Sequence, residues 1–150
     1  MKIAIVSAVY YPMINGVAVF SHNLAVGLAN KGNEVIVICP SFTGKKSFEK
    51  EGNLKVNYLR SIRLPLYPDQ INKVPDKKMF LGKEVPRFFY KNGIWCSPAP
   101  YPEVKKILKK FRPDVIHSQT CDPIGLAASF FARERGFFAR MRKNDVLFLI

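Results

Sequence analysis

Two short segments of the sequence carry residue types that could bind an anion or a sugar. The first is the loop at residues 10–16, which follows an apolar run and leads into a helical pattern. Backbone amides at a helix N-terminus, together with the helix dipole, favour phosphate or carboxylate. Within this loop, Gly16 would let a ligand approach the backbone closely. The alternative interpretation is that Gly16 only permits a tight turn.

The second segment is a run of four polar residues at the end of a predicted strand: His117, Ser118, Gln119 and Thr120. A strand-end histidine followed by short polar side chains can hydrogen-bond sugar hydroxyls or stabilise a developing charge. The alternative is a core histidine whose ring is bonded to the backbone. In an open parallel sheet, ligands bind beyond the carboxyl ends of the strands, so the loops after strands are the candidate sites.

Other kinds of site have little support in the sequence. His22 lies inside the first helical pattern but off its apolar face, so we expect it at the surface. The loop at residues 10–16 has one glycine, which fits neither the GxGxxG dinucleotide fingerprint nor a Walker A loop. No carboxylate pair, Ser/His/Asp order or metal-ligand cluster stands at a suggestive spacing. The sequence therefore predicts no metal site.

The net charge of +13 is the unusual bulk property, because 24 lysines and arginines oppose 11 aspartates and glutamates. Such a field favours anionic partners, whether nucleic acid, an anionic lipid surface or a phosphorylated substrate. The basic residues are spread over at least four segments, so a general solvated surface explains much of this charge. The sequence has no RNP, helix-turn-helix or zinc motif, and we expect no nucleic acid partner.

Length and residue usage favour one globular domain in the cytoplasm. A chain of 150 residues with 48% hydrophobic residues can bury one substantial core. The apolar run at residues 3–9 is too short for a membrane span and lacks a signal-peptide cleavage site. Cys39, Cys96 and Cys121 stand far apart and are odd in number, so we expect reduced thiols.

The first 40 residues have the pattern strand, loop, helix, strand, which is one βαβ unit. Residues 2–8 and 34–40 are β-branched apolar runs typical of strands buried on both faces. The helix between them spans about four turns and has Gly32 as its stop. Residues 54–61 alternate more and predict a third strand nearer an edge. The apolar face expected for the helix consists of Val17, Phe20, Leu24, Ala25 and Leu28.

The second half of the chain begins with a proline-rich, aromatic stretch and then regains regular patterns. For residues 62–102 we expect long loops with one or two short helices. An amphipathic helix follows and ends at Pro113, with a fourth buried strand after it. A further helix is expected to begin with Asp122 as its N-cap and to stop at Gly136. The predicted fold class is α/β, with an open parallel sheet and helices on both faces.

Several residues, taken in order, match a pattern of one enzyme family. The pattern is a strand, a "P..GG" loop, a helix ending "L...GHEV.V" and, later, "PDV.H.H" or "PDVIHSQT". The matching positions are Pro12, Asn15, Gly16, Leu28, residues 32–35 and residues 113–117. Over residues 1–136 the chain thus resembles the family-4 glycosyltransferases of GT-B architecture. It looks closest to the branch that glycosylates lipids, including diacylglycerol glucosyltransferases and phosphatidylinositol mannosyltransferases.

The resemblance implies the Rossmann-like N-terminal half of a GT-B fold, with residues 1–136 as the acceptor-side domain and 137–150 as an atypical tail. Such enzymes transfer a sugar from a UDP- or GDP-linked donor with retention of anomeric configuration, and they need no metal or other cofactor. The catalytic positions implied are His117 and Gln119. The loop beside the donor's diphosphate and the acceptor is implied at Pro12, Asn15 and Gly16. Further sugar or acceptor contacts are implied at Ser118, Thr120 and His22.

The sequence departs from the family pattern at three places. Asn15 replaces the first glycine of the common pair, a change that positive φ tolerates because asparagine is the next-best residue there. Gln119 replaces the second histidine of the "H.H" form, so the sugar-contacting role is split or moved between His117 and Gln119. The usual "IPVV.T.H" strand does not follow Gly136, and residues 146–150 either dock as a strand or form an apolar tail.

These observations leave three functions open. The first is sugar transfer to a lipid at an anionic membrane surface, by a cytoplasmic protein that lies peripherally on the inner face of the cell membrane. The basic helix near residues 103–112 and the stretch 62–102 would then face the membrane. The others are the same reaction on a soluble or polysaccharide acceptor, and a non-catalytic anion-binding module. Because the resemblance implies a second, donor-binding domain that follows, we expect this chain alone to be inactive.

Overall fold

The fold is built on one large sheet with three helices. The structure is a computed structural model that describes residues 1–13, 15–63, 95–120 and 122–136 in full, and the backbone of 78–80, 83–85, 138–142 and 145–149. The helices are α1 (Gly16–Asn30), α2 (Tyr101–Phe111) and α3 (Pro123–Glu134). The strands are β1 (Lys2–Val6), β2 (Glu34–Pro40), β3 (Ser47–Glu51), β4 (Leu54–Leu59), β5 (Ile62–Arg63), β6 (Lys78–Phe80), β7 (Lys83–Val85), β8 (Trp95–Cys96), β9 (Val115–Ser118), β10 (Phe138–Arg142) and β11 (Asp145–Leu149).

The main sheet has seven strands in the order β10-β11-β9-β1-β2-β4-β3. Its centre, β9-β1-β2-β4, is parallel, and its outer pairings are antiparallel. Val6 at the end of β1 is paired with Ile38 of β2 and Ser118 of β9, so the loops after β1 and β9 leave the same edge. The predicted Rossmann-like α/β fold is confirmed.

Side chains of the central strands alternate between two apolar cores, one on each face of the sheet. In β1, Ile3 and Ile5 pack towards α1, whereas Ala4 and Val6 pack towards α2 and α3. Successive residues of a strand point to opposite faces, so a continuous apolar run is required when helices cover both. Ile5 and Val6 are fully buried, and burying such a side chain contributes about 1.5–3 kcal/mol.

Helix α1 packs on the sheet through only part of the predicted face, since Leu24, Ala25 and Leu28 contact the core. Its buried residues are Ala18, Ser21 and Ala25, while Val17 and Phe20 are exposed. The prediction weighed side-chain hydrophobicity, but small residues on the inward face let the helix backbone approach the strands closely. The predicted stop is confirmed, since Gly32 has a φ of +82° just after the helix.

Helices α2 and α3 cover the other face and follow the predicted patterns. Val104, Leu108 and Phe111 of α2 are buried against the sheet, so the lysines of this helix point outward. Asp122 caps α3, and Gly136 follows it with a φ of +75°. Among the described residues, no helix is long and apolar enough to cross a membrane.

Two parts of the sheet and its surroundings differ from the sequence expectation, and a third follows one of the two alternatives left open. Strand β3 was not expected, because four of its five residues are exposed and its pattern is polar; it forms the sheet edge beyond β4. Residues 145–149 dock as β11, antiparallel to β9. The short helices expected within residues 62–102 are not found in the described part of that stretch before α2. That part contains four short strands, and the rest lies outside the described residues.

Candidate functional site

The loops after β1 and β9 are joined by hydrogen bonds at the carboxyl edge of the sheet. The backbone amide of Ala8 donates to Thr120 Oγ1 over 3.0 Å. The amide of Gln119 donates to the carbonyl oxygen of Val6 over 2.8 Å. The two segments singled out from the sequence therefore lie side by side, as expected for loops that follow neighbouring parallel strands.

Thr120 also connects this edge to the start of α3. Its hydroxyl donates to Asp122 Oδ1 over 2.9 Å, while the same oxygen accepts from Ala8. Asp122 in turn accepts from the amides of Gly125 (3.0 Å) and Ile124 (3.4 Å), which confirms it as the N-cap. The side chain of Thr120 is thus bound from both sides and holds the two loops in register.

Gly125 permits the close contact between α3 and the strand-end segment. A Cβ atom at this position would lie 2.1 Å from the carbonyl oxygen of Thr120 and 2.7 Å from Ser118 Oγ. Ser118 is buried, and its hydroxyl donates to that same carbonyl over 3.1 Å. Ser118 is therefore part of the packing between β9 and α3, and its implied contact with a sugar stays a prediction.

The N-terminus of α1 presents unpartnered amide donors. Asn15 caps the helix through its side chain, which accepts from the amide of Ala18 over 2.8 Å, and its carbonyl accepts from Val19. Within the described part of the chain, the amides of Gly16 and Val17 have no protein acceptor. The first turn has no acidic residue. This end of the helix is therefore suited to an anion.

The backbone at Asn15 and Gly16 corrects one expectation and bears on the role of Gly16. Asn15 has a φ of −144°, so positive φ is not the reason for asparagine here; the capping hydrogen bond is. Gly16 also lies outside the positive-φ region, and a Cβ there would meet nothing within 4 Å. No tight turn of the fold requires this glycine, and a ligand that approaches the helix end remains a reason for it.

His117 and Gln119 form a pair. The two Nε2 atoms lie 2.6 Å apart, within hydrogen-bond distance. His117 is half-buried and alternates with Ile116, which packs towards α3. Its side chain therefore lies on the α1 side of the sheet. The pair can offer polar groups to a ligand at the sheet edge.

His22 is not at the open surface, which corrects the expectation from its helical position. Its Nδ1 lies 3.3 Å from the hydroxyl of Tyr10, and its ring packs on that of Tyr11 with centroids 4.5 Å apart. Burial lowers the pKa of His22 and raises the pKa of the nearly inaccessible Tyr10. His22 thus supports the loop after β1 from beneath, together with the hydroxyl of Tyr58, which donates to the carbonyl of Tyr11 over 3.3 Å.

Two serines that we did not predict also hold this loop. Ser21 is fully buried on α1, and its hydroxyl donates to Ser7 Oγ over 3.3 Å. Ser7 Oγ donates to the carbonyl of Val9 over 2.7 Å. Two features of the sequence could have predicted this contact. Ser7 directly follows an apolar strand, and Ser21 has helical spacing from the small residues Ala18 and Ala25. Pro12, in the same loop, is buried.

The described residues include no group of three or more His, Cys, Asp or Glu side chains arranged to hold a metal ion. Of the three cysteines, Cys39 and Cys96 are free thiols, and Cys121 lies outside the described residues. Burial raises the pKa of the Cys39 thiol well above its usual range, so this thiol is protonated.

Comparison with known proteins identifies the family of this chain. Residues 14–139 match the family model described as Glycosyltransferase Family 4. The chain belongs to glycosyltransferase family 4. The matched range contains α1, the parallel core strands after β1, and both helices of the other face, so it takes in Asn15, Gly16, His117 and Gln119.

One curated relative of this family-4 chain is a GDP-mannose-dependent alpha-mannosyltransferase from Corynebacterium glutamicum. The two are 27% identical over 134 residues, which is 89% of this chain and 27% of the relative. The chain thus spans about a quarter of that protein's length. No solved structure matches the chain. The family resemblance drawn from the sequence is confirmed, and the lipid-glycosylating branch stays a prediction.

Proposed function

We propose that residues 1–136 form the acceptor-side, N-terminal domain of a retaining glycosyltransferase that moves a sugar from a nucleotide sugar to a lipid. The observation that carries this proposal is the pairing of two features at one sheet edge. Unpartnered amides at Gly16 and Val17 begin α1, and the polar pair His117–Gln119 ends β9. Ala8 and Thr120 join the loops that carry them.

Each feature has a role that its chemistry supports. The two amides would stabilise the negative charge of the departing diphosphate, since preorganised donors aimed at developing charge lower the barrier most. The His117–Gln119 pair would contact the transferred sugar through neutral polar atoms near the anomeric carbon. Because His117 Nε2 is already bonded to Gln119, we propose that the two residues act as one unit. Gln119 then serves where the family has a second histidine.

The donor in this proposal is a UDP- or GDP-linked sugar, and no metal or other cofactor takes part. The printed name of the Corynebacterium glutamicum relative specifies GDP-mannose, which makes GDP-mannose the first donor to try. The net charge of +13 favours both the diphosphate and an acceptor at an anionic surface. We place the protein in the cytoplasm, peripherally on the inner face of the cell membrane.

Ligand binding at the sheet edge tests the proposal. In ¹H–¹⁵N spectra of the 150-residue chain, GDP-mannose and a short-chain diacylglycerol should each shift the amides of Gly16, Val17 and Gln119. Glu51 and Asn53, at the opposite edge, serve as internal controls. A soluble oligosaccharide that shifts the same amides more strongly than the lipid would overturn the lipid acceptor. Absence of shifts at all three amides with every ligand would overturn the proposed site.

The purified chain alone is expected to show no sugar transfer. It contributes one wall of the proposed cleft, and the tightly held geometry on which catalysis depends requires both walls. Incubation with radiolabelled GDP-mannose or UDP-glucose and a lipid extract should leave the lipid fraction unlabelled. Labelled lipid that appears with the chain, and disappears when it is heat-denatured, would show that residues 1–150 suffice.

A further inference from the structure

Helix α3 exposes two large apolar side chains on the face that points away from the sheet. Leu126 is 52% and Phe130 is 58% exposed. They are four residues apart and so lie one above the other on the helix surface. The ring of Tyr101, at the start of α2, packs edge-on against Phe130 with centroids 6.3 Å apart. These three residues are called the α3 apolar patch below.

The α3 apolar patch is not a misplaced part of the core. The inward face of α3 is filled by other residues, and a helix of one domain normally leaves its opposite face polar. Two neighbouring large apolar groups on that opposite face point to a partner. The residues that do bury α3 against the sheet are Ile124, Gly125, Ala127, Ala128, Phe131 and Ala132.

The surface around the patch is positively charged and lacks uncompensated carboxylates. On α2 and α3, Glu103 is paired with Lys46 and Glu134 with Lys105. The hydrogen bonds from Lys105 and Tyr101 lower the pKa of Glu134, which keeps this carboxylate charged and engaged. The exposed cations on the two helices that have no ion pair among the described residues are Lys106, Lys109, Lys110 and Arg133.

We propose that the outer face of α2 and α3 binds an anionic lipid bilayer. Leu126 and Phe130 would enter the interface between headgroups and acyl chains, and the unpaired lysines of α2 would contact the headgroups. An apolar stripe beside a basic stripe is the surface that such membranes select, because apolar burial and attraction to anionic lipid add. The apolar face of α2 itself is not available, since Val104, Leu108 and Phe111 are buried on the sheet.

The position of the patch relates the bilayer to the proposed site. The N-cap of α3, Asp122, follows Gln119 by three residues. At a rise of about 1.5 Å per residue, Leu126 lies about 6 Å and Phe130 about 12 Å along the helix from that end. A bilayer on this face would therefore lie beside the sheet edge. This inference deepens the proposed function by naming the surface that binds the membrane. It rests on the proposed lipid acceptor for the reason why the protein binds a membrane.

Vesicle flotation without any donor or acceptor tests the surface directly. The 150-residue chain should float with vesicles of phosphatidylcholine and phosphatidylglycerol and stay in the soluble fraction with phosphatidylcholine alone. Phe130→Ser should lower the partition coefficient by about tenfold, because a large apolar contact is lost. Lys109→Glu with Lys110→Glu should lower it by at least tenfold, because each cation near an anionic surface contributes about fivefold.

Matched variants distinguish binding through this surface from non-specific hydrophobic or electrostatic binding to vesicles. Phe20 is also 56% exposed but lies on α1, which packs on the opposite face of the sheet, so Phe20→Ser should leave flotation unchanged. Lys31→Glu with Lys45→Glu changes the net charge equally, on exposed residues outside α2 and α3, and should lower flotation by less than threefold. Circular dichroism of each variant confirms that the fold is retained.

The possible outcomes each decide the inference. Loss of flotation in the patch and α2 variants alone supports it. Equal loss in the matched variants, or flotation that does not require phosphatidylglycerol, overturns it. Dimerisation that Phe130→Ser abolishes, without flotation, also overturns it and makes a second copy the occupant. Since ligand-induced amide shifts at the sheet edge are measured without vesicles, failure here leaves the proposed site untouched, and the converse also holds.

Discussion

Replacing Gly125 with alanine is expected to destabilise the protein by about 3 kcal/mol or more. The added methyl group would lie 2.1 Å from the backbone carbonyl of Thr120, 2.7 Å from Ser118 Oγ and 3.1 Å from Asp122 Oδ1. A backbone oxygen cannot move aside as the end of a flexible side chain can. Helix α3 must therefore shift away from β9, which weakens the Asp122 cap and the Thr120–Ala8 hydrogen bond together.

The sign of this effect makes the prediction specific. Glycine to alanine within a helix normally stabilises by up to about 1 kcal/mol, because alanine loses less backbone entropy on folding. Gly27→Ala in α1 should behave in that way, since a Cβ there meets nothing within 4 Å. Thermal unfolding followed by circular dichroism measures both variants. For a domain of this size, Gly125→Ala should lower Tm by roughly 6–12 °C, and an unchanged or raised Tm would show that the strand-end contact is not tight.

Gly16→Ala is expected to have the opposite profile, with a retained fold and lost ligand binding. No protein atom lies within 4 Å of the new methyl group and the backbone has no positive φ, so stability should change by less than about 1 kcal/mol. The methyl group would instead occupy space in front of the two unpartnered amides. A diphosphate displaced from these donors loses hydrogen bonds to a charged group, each of which contributes about 1.5–3 kcal/mol.

The expected result is at least a tenfold weaker dissociation constant for GDP-mannose, measured from the ¹H–¹⁵N shift titration. Gly27→Ala, in the same helix and with equally open surroundings, should bind as the wild type does. Binding by Gly16→Ala equal to that of the wild type, with the fold intact, would remove the helix N-terminus from the site. A variant that unfolds would contradict the open surroundings of Gly16.

The residues of the candidate site could be located from the sequence, but their partners could not. Gly16, His117 and Gln119 stood out because loops after β-branched runs line one edge of a parallel sheet. No pattern in the sequence indicates that Thr120 accepts from Ala8, 112 residues earlier. Short hydroxyl side chains have many possible partners, and the partner is selected only when the strands are placed side by side.

The sequence predicted the buried face of α2 better than that of α1. The strong alternation of lysines with apolar residues predicted the buried face of α2 correctly. In α1, hydrophobicity alone placed Phe20 inside and His22 outside. Both assignments were wrong, because small residues at Ala18, Ser21 and Ala25 bring that helix close to the sheet and leave Phe20 at the surface.

The sequence by itself determined the βαβ start, the Asp122 cap, the helix stops and membership of a glycosyltransferase family, since these depend on local residue types and their order. Only the tertiary structure decided that Gly16 is not needed for a turn, that His117 and Gln119 are bonded to each other, and that Phe130 faces outward against the ring of Tyr101. Residues 145–149 extend the sheet as β11 because an apolar strand gains hydrogen bonds and burial beside β9. Such outcomes depend on which surfaces meet, and that is settled by packing between segments far apart in the chain.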